Sequence, residues 1–191
     1  MKRVKNRTRT KFNIPVLLGI IIILSLIFGL LYFLQANIFP LIPLHGVTPN
    51  LFVIFILIIG LFGNNFLAML FGIVIGIFID SNYAEIIGIT PAMLCLIGFI
   101  ATWFDSLWSK DEKISIIIMV VLSTALFEFG SYFIRSIILK FDLEMLTFVK
   151  ILLWEELYNI LLTIIFFGLI KKLGYVMERK LKRNNMYTVE L

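Results

Sequence analysis

Hydrophobic residues occur along the chain in six long runs, separated by short segments that contain polar residues, glycine or proline. The runs cover residues 14–35, 51–62, 64–80, 90–104, 114–134 and 148–170. A helix rises about 1.5 Å per residue, so roughly 20 apolar residues cross a hydrocarbon core of about 30 Å. The pattern therefore predicts an all-α integral membrane protein in which residues 14–170 form one bundle of six transmembrane helices.

The second apolar run is short for a complete span, since a membrane normally requires more than about 12 apolar residues. Thr48-Pro49 before this run is typical of a helix N-cap followed by the first helical residue, and a second Thr-Pro pair precedes the fourth run. Residues 51–80 fit either two short helices joined by a cytoplasmic turn or one kinked element that dips into the membrane. We favour two spans, because segment 80–89, which contains no Lys or Arg, then lies outside.

A stripe of small and polar residues marks the third run. Asn64, Ala68, Gly72, Gly76 and Asp80 recur every four residues, so they share one face of a helix. Small residues at this spacing allow helix backbones to approach closely inside a membrane. We predict that this face packs against another helix, either within the bundle or from a partner. Asp80 ends the stripe and needs a polar partner or the membrane interface.

Composition supports the membrane assignment and narrows the chemistry. Hydrophobic residues make up 61% of the chain and the mean hydropathy is +1.04, whereas soluble domains are about 45–50% apolar. With a single cysteine, Cys95, and a single histidine, His45, the chain cannot form an internal disulfide or a metal site built from Cys and His ligands. We therefore predict no metal and no cofactor.

The net charge of +5 comes mainly from the two ends of the chain. Of 17 Lys and Arg, six precede Phe12 and six follow Ile170, which is typical of topology signals and contacts with anionic lipid rather than of nucleic-acid binding. The six-span arrangement places 14 basic residues inside and three outside. We therefore predict a basic cytoplasmic N-terminus over residues 1–13 and a basic cytoplasmic tail over 171–191, which forms a helical extension on lipid headgroups.

Acidic side chains within the apolar runs need a partner, because an isolated carboxylate in a membrane is strongly unfavourable. Glu128 and Arg135 lie two turns apart on nearly the same face of the fifth run. Glu155 and Asn159 form part of a polar stripe in the sixth run. Two interpretations remain open: the acids pair with Arg135 and Lys150 to stabilise the bundle, or they line a polar groove for a partner or solute. The acids expected in the outer half of the membrane are Asp80, Glu128, Glu155 and Glu156.

Catalytic motifs are largely missing from the sequence. The pair Glu155-Glu156 is similar to the Glu-Glu-x-x-x-Arg motif of CAAX-type membrane proteases, but no Arg follows at that spacing. Those enzymes also need histidines, and His45 lies in a distant loop. We therefore predict that no residue is catalytic and that the protein is not an enzyme.

The order and spacing of several short motifs resemble the rod shape-determining protein MreD family. These motifs are Gly46-Val47-Thr48-Pro49-Asn50-Leu51, Gly72-x-x-x-Gly76-x-x-x-Asp80, Gly88-Ile89, Leu157-Tyr158-Asn159 and Lys171-Lys172. The resemblance implies a multi-pass protein of the bacterial plasma membrane, with both termini cytoplasmic. It also implies a fold similar to the six-helix substrate-binding subunits of energy-coupling-factor vitamin transporters.

For function, the resemblance implies a non-enzymatic component of the cell-elongation complex that helps to determine cell shape. Its partner would be MreC, and through it the cytoplasmic MreB, RodA and a transpeptidase of peptidoglycan synthesis. The alternative is a membrane subunit that binds a small, vitamin-like solute for an energy-coupling-factor transporter. The residues predicted to form helix-packing or partner contacts are Pro49, Asn50, Asn64, Ala68, Gly72, Gly76, Asp80, Glu128, Arg135, Glu155 and Asn159.

Overall fold

A computed structural model describes residues 14–107, 109–140 and 144–183, and helices account for most of them. The helices are α1 (Ile14–Phe33), α2 (Leu51–Phe62), α3 (Asn65–Tyr83), α4 (Ile89–Leu107), α5 (Lys113–Leu139) and α6 (Met145–Arg183). A π-helical turn (Leu34–Ile38) and a 3-10 turn (Phe39–Leu41) continue α1. No strand forms within these ranges. The predicted N-terminal segment 1–13 and the last part of the tail lie outside the described residues.

Four helical stretches are long and apolar enough to cross a membrane. They are Pro15–Leu41, Asn65–Tyr83, Lys113–Leu139 and Met145–Lys182. Two apolar helices are shorter, Leu51–Phe62 and Ile89–Ala101. The chain is therefore an all-helical protein with at least four candidate spans among the described residues.

The short helix α2 occupies the centre of the bundle. It is apolar on every side, which is typical of a buried helix, and ten of its 12 residues are buried. The predicted N-cap at Thr48 is wrong: the Asn50 side chain caps α2 by accepting a hydrogen bond from the Val53 N–H at 3.3 Å. Asn50 takes this role because its amide oxygen can reach the unpaired N–H groups of the first helical turn.

A two-residue turn separates α2 from α3. The Gly63 N–H donates to the Ile59 carbonyl at 2.8 Å and ends α2, and the Asn64 side chain accepts from the Phe66 N–H at 2.8 Å and begins α3. Because each helix has its own cap, residues 51–80 are two separate helices packed side by side. The alternative of one kinked element does not occur.

The small-residue face of α3 packs closely against α4. A Cβ atom added to Gly76 would lie 2.3 Å from the Pro91 Cα atom, and one added to Gly72 would lie 2.8 Å from the Leu94 carbonyl. On α4, a Cβ atom added to Gly98 would meet the Ala68 backbone at 2.7 Å. The backbones therefore approach so closely that no side chain fits between them.

Helix α6 has 39 residues, compared with 23 in run 148–170, so the predicted helical extension into the tail is present as far as Arg183. At about 1.5 Å per residue it is about 58 Å long, which exceeds the thickness of a membrane. Its final turns do not simply lie on lipid headgroups, because Met177 and Leu181 are buried against the bundle. One face of the extension therefore packs on the end of α2, and contact of its other face with lipid headgroups stays a prediction.

Ion pairs attach the end of α6 to the rest of the bundle. The buried Glu178 carboxylate lies 3.5 Å from the Lys110 amine and 2.6 Å from the Lys182 amine. Lys110 also donates to the Leu61 carbonyl at 3.2 Å, at the C-terminal end of α2, where a cation is favoured by the helix dipole. These contacts bring α2, α6 and the α4–α5 loop together.

Asp111 provides a second attachment in the same loop. The Tyr175 hydroxyl donates to its carboxylate, and the Lys171 amine lies 3.5 Å away. The Tyr175 hydrogen bond and the nearby Lys171 charge lower the pKa of Asp111 below its ordinary value. The Asp111 carboxylate is therefore stabilised in its charged form.

Candidate functional site

A polar cavity of about 260 Å³ lies at the end of the bundle where α2 begins. Five helices and the segment before α2 form its walls. The lining residues are Gln35, Thr48, Pro49, Asn50, Phe52, Ile79, Thr90, Leu94, Phe127, Glu128, Arg135 and Glu155. The cavity is unusual for this protein because polar groups from distant parts of the chain face one another inside an otherwise apolar bundle.

Side-chain hydrogen bonds attach the segment between α1 and α2 to the end of the bundle that contains the cavity. The Gln35 amide donates to the Pro49 carbonyl and accepts from the Leu51 N–H at 3.3 Å. The Tyr158 hydroxyl of α6 donates to the Ile42 carbonyl at 2.9 Å. Both ends of the segment are therefore attached to residues near the cavity.

A tight turn at the tip of the same segment contacts α6. His45 and Gly46 have φ angles of 51° and 83°, a left-handed conformation that favours glycine at the second position. The His45 ring stacks on the Trp154 ring with their centres 3.7 Å apart. This stack fixes the loop to the surface of α6.

Asn50, at the start of α2, forms hydrogen bonds with residues of α5 and α6. Its N–H donates to the Asn159 side-chain oxygen at 2.9 Å, and its side-chain amide donates to the Glu128 carboxylate at 3.4 Å. Asn159 is fully buried and donates in turn to the Thr124 hydroxyl at 3.1 Å. Buried polar groups with several partners of this kind hold neighbouring elements in one arrangement.

Three acidic side chains in or beside the cavity make no direct ion pair within the described part of the chain. Among the described residues, no Lys or Arg nitrogen lies within 4.0 Å of the carboxylates of Glu128, Glu155 or Glu156. Of the two interpretations left open by the sequence, direct ion pairs of these acids with Arg135 and Lys150 are therefore not observed. The geometry matches the other interpretation, a polar groove, because Glu128, Arg135 and Glu155 all line the cavity.

Asp80 has a different environment, at the junction of α3 and α4. Its carboxylate accepts from the Gly88 N–H at 2.7 Å and the Thr90 N–H at 3.3 Å. Gly88 has a φ angle of 114°, which L residues rarely adopt. A negative charge at the first turn of a helix is favourable because the N–H groups there are otherwise unpaired. Asp80 therefore caps α4, the role that the sequence assigned to Thr90.

The residues predicted from the sequence fall into two groups in space. The first group lines or adjoins the cavity: Pro49, Asn50, Glu128, Arg135, Glu155 and Asn159. The second group lies along α3: Asn64, Ala68, Gly72, Gly76 and Asp80. Since the second group contacts α4 or caps helices, its surface is occupied within the molecule.

Seven residues that line the cavity are not among the site residues predicted from the sequence: Gln35, Thr48, Phe52, Ile79, Thr90, Leu94 and Phe127. The Gln35 amide forms hydrogen bonds with the segment before α2. A polar amide at the end of an apolar run, followed by a loop rich in proline, was the available signal for Gln35. Nothing in the local sequence indicated that Thr90 would line the same cavity as Glu128.

The groups that line the cavity can form hydrogen bonds and charge interactions with a ligand. They comprise carboxylates, amides, hydroxyls and one guanidinium. In the described part of the chain, no group of three His, Cys, Asp or Glu side chains is placed to hold a metal ion. The arrangement therefore suits recognition of a polar organic group.

Comparison with known proteins assigns the family. The family model for the rod shape-determining protein MreD matches residues 11–175, which is most of the chain and includes all six helices in whole or in part. The chain belongs to the MreD family. No curated protein and no solved structure matches it at a significant level. Membership in the MreD family makes the protein a rod shape-determining membrane component.

Proposed function

We propose that this protein is a non-enzymatic component of the cell-elongation complex that pairs with MreC. Through MreC it links cytoplasmic MreB to RodA and a transpeptidase, and so to peptidoglycan synthesis. The match of the MreD family to residues 11–175 is the observation that carries this proposal. The polar cavity supports a role in recognition, whereas no observation favours a vitamin-binding subunit of a transporter.

The proposal includes a topology of six spans with both termini in the cytoplasm. Its support is the distribution of basic residues, with 14 of 17 Lys and Arg on the inner side and three on the outer side. In this orientation the ion pairs of Glu178 lie at the cytoplasmic end of the bundle. The cavity then opens at the external end.

The surface that contacts MreC must differ from the small-residue face of α3. Gly72 and Gly76 already lie against the backbone of α4, so another helix has no access to them. Helices α1 and α6 expose large apolar side chains along most of their length, which leaves them available to lipid or to a partner helix. We therefore expect substitutions on α3 to affect pairing only through folding.

Copurification tests the proposed pairing. The full chain and MreC from the same genome are coexpressed, with an affinity tag on MreC, and the membrane fraction is extracted in mild detergent. We expect the protein to be recovered with MreC and its depletion to convert rod-shaped cells to rounded ones. An unrelated six-helix membrane protein of equal abundance serves as the control. Normal cell shape after depletion, with recovery no higher than the control, would contradict the proposal.

A further inference from the structure

The cavity has acidic groups in its interior and a basic group nearer its opening. Glu128 and Arg135 line it from the same helix, seven residues apart, which corresponds to about 10 Å along the axis. Arg135 is exposed and lies closer to the end of α5. The two side chains form no ion pair within 4.0 Å. A negative group and a positive group therefore line the same cavity without touching each other.

The acidic part of the cavity has no basic side chain of the described residues in direct contact with it. Glu155 of α6 is 7% exposed and lies close enough to Glu128 for the two carboxyl groups to interact. Glu128 accepts a hydrogen bond from the Asn50 side-chain amide at 3.4 Å, but no Lys or Arg nitrogen of the described residues lies within 4.0 Å of either carboxyl group. A cation in contact stabilises a buried carboxylate, so a positive group bound in the cavity would stabilise these two side chains.

An organic ammonium fits this environment better than a metal ion. Glu128, Glu155 and Glu156 are not arranged as a metal-binding group, whereas an ammonium donates three hydrogen bonds, which the carboxylates of Glu128 and Glu155 can accept. Arg135 provides a planar guanidinium, which recognises phosphate or carboxylate with two parallel hydrogen bonds. The volume of about 260 Å³ is several times that of one water molecule, which occupies about 30 Å³.

We propose that the cavity binds a zwitterionic group, with its ammonium beside Glu128 and Glu155 and its phosphate or carboxylate beside Arg135. Two sources carry this chemistry: the headgroup of an aminophospholipid in the membrane, and a free small zwitterion from the surrounding medium. The inference goes beyond pairing with MreC and does not depend on it. It is tested on the isolated protein.

Ligand-dependent stabilisation measures binding directly. The full chain is purified in detergent, and its thermal unfolding is followed during titration with dihexanoyl phosphatidylethanolamine, glycerophosphoethanolamine or dihexanoyl phosphatidylglycerol. A ligand that binds the folded state raises Tm in proportion to the logarithm of its concentration above Kd. We expect phosphatidylethanolamine to raise Tm and phosphatidylglycerol, which has no ammonium, to have no effect.

The soluble headgroup distinguishes the two sources. An equal rise in Tm with glycerophosphoethanolamine would identify the zwitterion alone as sufficient, whereas a rise only with phosphatidylethanolamine would identify a membrane lipid. The proposal is overturned if neither zwitterion raises Tm, or if phosphatidylglycerol raises it equally.

Variants connect the binding to the named side chains. Glu155→Gln removes a carboxylate that faces the ammonium and should weaken binding about ten- to hundredfold, the usual effect of losing a hydrogen bond to a charged group. Arg135→Gln should weaken it similarly, and because Arg135 is exposed this variant tests the site even if Glu155→Gln does not fold. The matched control is Glu85→Gln, an exposed acid in the loop between α3 and α4. Wild-type affinity in Arg135→Gln, or an equal loss in Glu85→Gln, would show that the cavity is not the binding site.

Discussion

Asp80 is a buried carboxylate that joins the end of α3 to the start of α4. It is 2% exposed and accepts hydrogen bonds from the N–H groups of Gly88 and Thr90. We expect Asp80→Leu to lower the free energy of unfolding by about 1–3 kcal/mol, because both N–H groups lose their acceptor. Asp80→Asn, which retains an acceptor oxygen, should lose less. Chemical denaturation of the purified protein in detergent measures both variants.

The control for Asp80 is Ser81→Ala at the next position. Ser81 is exposed, and its hydroxyl bonds only to the Ile77 carbonyl of its own helix, so its replacement should change stability by less than about 0.5 kcal/mol. If Asp80→Leu unfolds at the same denaturant concentration as Ser81→Ala, the hydrogen bonds accepted by Asp80 do not stabilise the start of α4.

Single residues show what the sequence could reveal about the site. The sequence was sufficient to predict that Asp80 needs a polar partner, since a carboxylate in an apolar run is unfavourable. It was not sufficient to predict which groups those partners are, because every residue except proline carries a backbone N–H group. Asn50 and Glu128 are 78 positions apart, so their contact arises only when α2 and α5 pack together.

At the scale of helices, the spacing of small residues predicted a packing face, and the structure shows which helix covers it. Gly76 lies against Pro91, and the contact leaves no space for a methyl group. We expect Gly76→Ala to destabilise the protein by about 1–3 kcal/mol, the usual effect of overpacking. The measurement is the free energy of unfolding in detergent, at matched expression.

Gly168→Ala is the matched control for Gly76→Ala. Gly168 also lies within a long apolar helix, but an added Cβ atom would meet no atom within 4 Å. Its replacement should be neutral or slightly stabilising, because alanine favours the helix over glycine. Equal free energies of unfolding for the two variants would contradict the close packing of α3 against α4.

Helix α6 shows that the end of a membrane span need not be the end of a helix. The run 148–170 ends where Lys171 and Lys172 begin, and a change from apolar to charged residues was interpreted as the end of a span. The helix does not end there, because the following segment contains no proline and only one glycine, Gly174, before residue 183. Hydropathy indicates whether a helix lies in lipid or in water, whereas proline and glycine indicate where a helix ends.

For the whole molecule, the apolar runs were sufficient to predict an all-helical membrane protein, since each run must satisfy its backbone hydrogen bonds internally. They did not predict the cavity. Its polar lining comes from the turn after α1, from the segment before α2, from the start of α4 and from α5 and α6. These groups are brought together only by the order in which the helices pack, and local sequence carries little information about that order.

The orientation of the molecule in the membrane gives the last prediction. With 14 basic residues on one side and three on the other, the positive-inside rule places the α3–α4 loop outside. In a Cys95→Ser background, Asn82→Cys should react with a membrane-impermeant maleimide in intact cells. Glu112→Cys, in the α4–α5 loop at the opposite end of the bundle, should react only after the membrane is permeabilised.

Both positions are exposed, so a difference in labelling reflects the side of the membrane and not burial. Labelling of Asn82→Cys only after permeabilisation would overturn the six-span topology. It would also place the cavity at the cytoplasmic end, because Asn82 and the cavity residue Thr90 lie on the same side of the bundle, at the end where α3 finishes and α4 begins. The orientation therefore decides whether the polar groove meets the external or the cytoplasmic parts of the cell-elongation complex.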